Sequence, residues 1–274
     1  AAREIKLCVS LIPQRIVCLS AEAADWLWRI GAWKNVVGVT VYFNQPANIA
    51  PKPRVSGFSS ANLTEIEKLN PDLIITFSDV QMKLAVELRR RGFRVLATDQ
   101  RTLAETKITL TMLAQIVGRE LEAEKWIAEF SLRLAPVQIG GRHPRVYFEE
   151  WNDPLIAGIG WVSELIERAG GEDVFASLRT KRAAAKRVVM PEQVLDAAPE
   201  IILASWCGKP VNIAEIASRP GWGKIPAVRE RCIYEISGED ILQPGFRLVH
   251  GFEQMKRIIL SADEVACAGS EFRL

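Results

Sequence analysis

Three carboxylates, Glu149, Glu150 and Asp153, follow the apolar run Val146-Tyr147-Phe148. Carboxylates this close can divide acid and base duties, one protonated and one ionised. The same residues also suit a solvated or loop-capping role. A basic run, Lys181-Arg182-Ala-Ala-Ala-Lys186-Arg187, offers charge to a carboxylate or phosphate, or else forms a solvated face. The other chemistry-bearing patterns are missing. No G-x-G-x-x-G follows an apolar run, and neither a Walker lysine loop nor a G-x-S-x-G elbow occurs. Histidine is limited to His143, beside Pro144, and His250, so a bare zinc or manganese site is not expected. The five cysteines, Cys8, Cys18, Cys207, Cys232 and Cys267, form no C-x-x-C, and an odd count leaves at least one thiol unless it pairs between chains. Cys18 and Cys232 read as small core hydrophobes within strands. No catalytic residue, metal or cofactor is therefore assigned.

Composition narrows the classes further. The 274 residues carry 35 basic and 33 acidic side chains, a net charge of +2, too weak a field to imply nucleic acid or an anionic membrane as partner. With 49% hydrophobic and 25% charged residues the chain is an ordinary globular one. Its length suits two modest lobes, each with its own core. No apolar run is long enough to span a bilayer, and no low-complexity tail is present. The start, Ala1 to Pro13, lacks a clear leader-type apolar region, so the chain is either a processed form or one that never carried a leader.

The elements that would position any site repeat themselves. Thr64-Glu-Ile-Glu-Lys-Leu-Asn-Pro71-Asp72-Leu-Ile-Ile echoes Glu192-Gln-Val-Leu-Asp-Ala-Ala-Pro199-Glu200-Ile-Ile-Leu. Each reads as a short helix, a Pro-acid turn and a buried strand. Ahead of each, Arg15-Ile-Val-Cys-Leu and Arg145-Val-Tyr-Phe read as strands, followed by helices that stop at Gly31 and Gly170. Between the echoes, residues 102–138 form one or two helices. Ala123, Trp126, Ile127, Phe130, Leu134 and Val137 share one face, Gly118 breaks or bends the run, and Pro136 with Gly140-Gly141 ends it. The organisation expected is an α/β fold of two Rossmann-like lobes with mainly parallel sheets: residues 1–118, a connecting helix 119–141 and residues 142–274. Strands are expected at 15–19, 36–41, 54–56, 73–77 and 93–97, and at 146–149, 201–205 and 232–236. Residues 151–161 are expected to form a long loop. Asn62 with Glu65 is a helix start of capping-box type.

Parallel sheets bind ligands at the carboxyl ends of their strands. The loops there carry Tyr42, Phe43, Phe58, Trp151, Trp161, Trp206 and Phe246, with Ser59 and Arg247 beside two of them. These residues are expected to line one ligand cleft between the lobes, with Phe58 opposite Trp206; singly, each ring could merely pack its own loop.

From Pro13 to about Leu260 the chain resembles the helical-backbone (class III) periplasmic substrate-binding proteins of ABC importers, nearest the cobalamin-binding branch. The likeness rests on Pro13-Gln-Arg-Ile-Val-Cys-Leu-Ser, Val36-Val-Gly-Val, Arg54-Val-Ser-Gly and Leu69-Asn-Pro-Asp-Leu-Ile-Ile. It continues in Glu164-Leu-Ile-Glu-Arg-Ala-Gly-Gly-Glu-Asp-Val-Phe and Pro199-Glu-Ile-Ile. The resemblance implies a binding protein, not an enzyme, in the periplasm or another extracytoplasmic space. It would act as a monomer, holding cobalamin, a related corrinoid, a ferric siderophore or haem between its lobes, with small hinge motion, and delivering it to a membrane permease dimer. Phe58 falls where the cobalamin branch places an aromatic against its ligand. Glu192 matches the second-lobe glutamate that docks on the permease. Its first-lobe counterpart falls on Thr64, so Glu65, next door, is the candidate there. The aromatic expected near Lys186 is replaced by the basic run. The competing reading is a cytoplasmic two-lobed enzyme of chelatase or hydrolase type using Glu149, Glu150 or Asp153.

Overall fold

The structure is a computed structural model that describes residues 12–138 and 140–270, with only the helical backbone for 262–270. It divides into two compact units. The first ends at Thr98 and takes in Leu110–Glu124; the second comprises Asp99–Thr109 and runs on from Lys125.

In the first unit, β1 (Ile16–Cys18), α1 (Ala21–Arg29), β2 (Val36–Thr40), β3 (Arg54–Ser56), α2 (Leu63–Leu69), β4 (Leu73–Phe77), α3 (Met82–Arg90) and β5 (Val95–Thr98) alternate. The strands form one parallel sheet in the order β3-β2-β1-β4-β5. Each connection returns through a crossover, which is why the central strands Ile-Val-Cys and Leu-Ile-Ile are apolar on both faces. Val17, Leu19, Val55, Ile66, Ile74 and Leu88 make its core. As expected, Asn62 caps α2, its Oδ1 accepting from the Glu65 N–H at 3.2 Å; the Glu65 carboxylate turns to Lys68 at 2.7 Å instead of closing a box.

Two helices follow, α4 (Leu103–Ile116) and α5 (Glu120–Arg133). Thr102 Oγ1 accepts from the Glu105 N–H at 3.1 Å and starts α4. Gly118, at φ +63°, separates the two helices, a conformation that other residues adopt only with strain. α5 stops at Arg133, short of the expected residue 138, because Pro136 disfavours helical backbone before it. Phe130 and Leu134 are buried, while Trp126 and Ile127 are half-buried. Ile139 lies outside the described residues, as do the opening residues 1–11 with Cys8.

The second unit continues through β6 (Arg145–Asn152), β7 (Leu155–Ala157), α6 (Gly160–Arg168), β8 (Glu172–Asp173), α7 (Pro191–Ala197) and β9 (Ile201–Ala204). It ends with α8 (Ile213–Ala217), α9 (Pro226–Arg229), β10 (Ile233–Glu235), α10 (Gly238–Ile241) and α11 (Leu248–Ser270). Its sheet runs β10-β9-β6-β7, with β8 beside the other end of β6; every pairing but β6-β7 is parallel. That hairpin corrects the long loop expected at 151–161. β6 runs on to Asn152, and the apolar Leu155-Ile156-Ala157 folds back on it, a strand too short to show alternation in the sequence. α6 begins at Gly160, where a Cβ would lie 2.5 Å from the Arg101 carbonyl oxygen, so only glycine fits.

The sequence echo is a structural repeat. Asn70 and Ala198, each just before its proline, are left-handed at φ 43° and 42°. The acid after each proline then ties down the start of the neighbouring strand. Asp72 accepts from the Gln14 and Arg15 N–H groups at 2.7 and 3.0 Å, and Glu200 accepts from the Arg145 N–H at 3.0 Å. Among the described residues no helix is long and apolar enough to cross a membrane.

Candidate ligand-binding face

In the first unit the connections leave β1 and β4 towards opposite edges of the sheet. The crevice outside their carboxyl ends is the place where such sheets take ligands. Apolar strands end there in a ring of buried polar residues: Ser20, Thr40, Ser56, Ser78 and Thr98. Some of these stitch the rim together. The Thr40 hydroxyl donates to the Ser56 carbonyl at 3.3 Å, and the Thr98 hydroxyl to that of Thr76 at 3.1 Å. Gln81 joins three loops, its amide donating to the carbonyls of Leu19 at 2.9 Å and Phe58 at 3.0 Å while its Oε1 accepts from the Phe77 N–H at 2.9 Å. Ser78, at φ 64°, is held in a strained conformation of the kind that collects at functional sites.

Other rim atoms are left over. Ser56 Oγ is buried with no hydrogen-bond partner among the described residues, and Ser20 Oγ and Glu22 Oε1 are buried with none beyond each other. Burial pushes the Glu22 carboxyl up to about 7, against the pull of its own backbone N–H and the nearby Ser20 hydroxyl. Glu22 also raises its neighbour Cys18, a thiol already pushed well up by burial and therefore inert.

Of the rings expected on this unit, Tyr42 and Phe58 stand free, 41% and 48% exposed, edge to face with centroids 6.2 Å apart. Ser59 is exposed beside them. Phe43 turns inward, buried against Trp33 with centroids 5.6 Å apart, and so is not a surface ring. The Arg54 guanidinium fixes that loop by donating to the carbonyls of Thr40, Val41 and Phe43 at 3.1, 3.1 and 2.7 Å.

The second unit treats its rings and charges differently. Trp161, Trp206 and Phe246 were expected to line a ligand cleft, and all three are buried. Trp161 lies within α6 and donates to the Ile241 carbonyl at 2.8 Å. Phe246 packs edge to face on Trp126, centroids 5.0 Å apart. Trp206 enters the core and donates to Glu149 at 3.1 Å. Each indole N–H needs a partner, and an inward one was available. Half-buried Trp151 shares a cation with Trp206: Lys209 Nζ lies 4.4 Å from the Trp151 ring and 4.7 Å from the Trp206 ring, and donates to Asn152 at 2.7 Å.

The expected acid–base carboxylates are taken up by arginines. Glu149 is fully buried and meets Arg219 at 2.5 and 2.9 Å. Glu150 meets buried Arg187 at 2.6 and 3.0 Å, and Asp153 is exposed on the β6-β7 turn. Of the basic run, Arg187 is thus structural, Arg182 pairs with Asp99 and Glu105 at 3.1 Å, and Lys181 and Lys186 are exposed. Arg247 is held by Asp240 at 2.7 Å and Glu239 at 3.2 Å. His143 contacts the Gly170 carbonyl oxygen at 2.9 Å. Glu192 is exposed in the first turn of α7, and Glu65 is partly exposed on α2. Among the described residues Cys18, Cys207 and Cys232 are free thiols, and no cluster of three His, Cys, Asp or Glu side chains could hold a metal ion.

Sequence reasoning missed Ser20, Glu22 and Gln81. Two signals were present: a polar residue closing each apolar strand, and a buried acid in the first turn of α1.

Comparison with known proteins fits this geometry. An uncharacterized ABC transporter substrate-binding lipoprotein of Bacillus subtilis is 23% identical over 266 residues, spanning 90% of this chain and 80% of its own. A vitamin B12-binding protein of Vibrio campbellii is 24% identical over 253 residues, 88% of each chain. A periplasmic heme-binding protein from Roseiflexus shares the fold, with a TM-score of 0.77 at 21% identity over 91% of this chain and 98% of its own. The family model described as periplasmic binding protein matches residues 16–239. The chain belongs to the periplasmic binding protein family.

Proposed function

We propose that this protein is the ligand-binding component of an ABC importer, acting outside the cytoplasm on a large conjugated metal chelate, with a corrinoid as the first candidate. The observation that carries the reading is the exposed edge-to-face pair Tyr42–Phe58 at the carboxyl ends of the first unit's strands. Two free rings beside buried polar atoms without partners suit a broad ligand with a flat apolar body and a polar fringe. The relatives named for vitamin B12 and heme binding support this ligand class. Delivery requires a permease dimer. The exposed Glu192 of α7 and the partly exposed Glu65 of α2 are the proposed docking carboxylates, on helices that occupy equivalent places in the repeat. No resident cofactor is needed, and the working form is a monomer.

Absorbance titration of the wild type with cyanocobalamin, dicyanocobinamide, haemin and a ferric catecholate tests the ligand class. Saturable binding of at least one chelate is expected. Phe58→Ala should weaken it about tenfold, since a ring interaction of about 1 kcal/mol comes on top of the apolar area the ring buries, and ~1.4 kcal/mol in all is tenfold. No binding to any of the four chelates contradicts the reading. Glu192→Ala should leave affinity intact and slow uptake in vesicles carrying the permease; unchanged uptake removes the docking role.

A further inference from the structure

The rim of the first unit holds a group that the aromatic pair does not explain. Glu22 sits in the first turn of α1, directly beyond β1, with 8% of its surface exposed and Oε1 without a partner beyond Ser20. Ser20, the residue before that helix, likewise offers its hydroxyl to nothing but the neighbouring Glu22 carboxyl. A carboxyl kept from water without compensation is costly unless something completes it. What is available locally is incomplete. β1 brings Cys18, and β2 has no charged side chain. The turn before β2 brings Lys34, which is exposed, and the loop after β4 brings Asp79, also exposed. On α1 itself Asp25 is closed by Arg29 at 2.6 Å. The stretch of α4 in this unit, Leu110 to Ile116, is uncharged. No cation among these holds Glu22 ionised.

We propose that Ser20 and Glu22 form a polar subsite for a neutral ligand group that donates and accepts at adjacent atoms, a primary carboxamide. The proposal rests on the chelate-binding reading above and says which fringe group the site selects. An un-ionised carboxyl presents O–H and C=O side by side, the complement of an amide's C=O and N–H, and the serine hydroxyl can serve either atom. A ligand carboxylate would meet the opposite situation, repelled wherever Glu22 is ionised. Two neutral partners also leave no buried charge.

The test uses the full chain with two probes, cyanocobalamin and a cyanocobalamin derivative in which a peripheral carboxamide is hydrolysed to carboxylate. Affinities are measured from pH 5.5 to 8.5. Wild type should bind the amide form more weakly as pH rises through about 7, where Glu22 loses its proton. Glu22→Gln, which keeps an acceptor and a donor, should bind it with little pH dependence. Glu22→Leu should bind about tenfold more weakly at pH 6, the loss of one well-made hydrogen-bonded pair. The carboxylate form should bind wild type worst at high pH and recover in Glu22→Gln. Thermal unfolding of each variant confirms that it is folded, and the near-isosteric Glu22→Gln carries the result if Glu22→Leu is not. Equal, pH-independent affinities of wild type and Glu22→Gln for both probes overturn the subsite while leaving corrinoid binding standing. Failure of the wild type to bind cyanocobalamin overturns the subsite; binding of haemin or a ferric catecholate in that case keeps the chelate-binding reading.

Discussion

The two units share a plan at one end of their sheets and part company at the other. At the amino-terminal ends, Asp72 and Glu200 perform the same clamp after the same proline, and Asn70 and Ala198 take the same left-handed turn. At the carboxyl ends the first unit leaves polar atoms unpaired and two rings exposed. The second pairs Glu149 and Glu150 with arginines and draws Trp161, Trp206 and Phe246 inside. The clamp is a folding device and was kept in both. The rims differ, and the first combines open aromatic surface with a carboxyl that burial pushes up to about 7.

The largest expected effect lies on the paired side. Glu149→Ala strands Arg219 and the Trp206 indole N–H, and removing one partner of a buried pair costs about 3–5 kcal/mol. Urea unfolding followed through the second unit's tryptophans should show it; a loss under about 1 kcal/mol would mean that the network is not the structural element described.

Glu22 should behave in the opposite sense. Its carboxyl titrates at about 7 folded against 4.5 in the unperturbed state. The unfolded chain therefore releases this proton first as pH rises. Stability is undiminished below pH 4.5, falls between 4.5 and 7, and stays lowered above 7. That interval of about 2.5 pH units corresponds to about 3 kcal/mol. Glu22→Gln should flatten this decline and be more stable than wild type at pH 8. A wild-type curve already flat from pH 5 to 7 would erase the contrast between the two carboxylates.

The smallest effect sharpens the shared end. Ala198 bears the left-handed backbone with a Cβ, where Asn70 has a side chain suited to it, so Ala198→Gly should stabilise by about 1 kcal/mol. The same change at Asn70 should do much less. Equal responses in thermal melts would show that the two turns are not equivalent.

Much of the shared plan was legible in the sequence. The Asn62 cap and the Gly118 break could be read because each rests on contacts close along the chain, and the Pro-acid echo and most strands because their residue pattern repeats or stays apolar over several positions. Tyr42 and Phe58 could be picked out because each follows an apolar strand on a short connecting segment, and both are exposed. The direction of Trp206 was not legible. It follows a strand as Phe58 does, but its orientation is set by Glu149, 57 positions earlier. The β6-β7 hairpin escaped because its three-residue strand is too short for periodicity. Glu22 escaped because an acid in a first helical turn is ordinary, and only the packing around it makes it unusual.

Hydrogen exchange of the wild type, with and without a saturating amount of the chelate it binds, tests the central claim most directly. Slowed exchange is predicted in peptides covering residues 19–24, 40–44 and 56–60, which carry Ser20, Glu22, Tyr42 and Phe58. Unchanged exchange in all three peptides, with the chelate demonstrably bound, would contradict the assignment of the first unit's rim as a binding face.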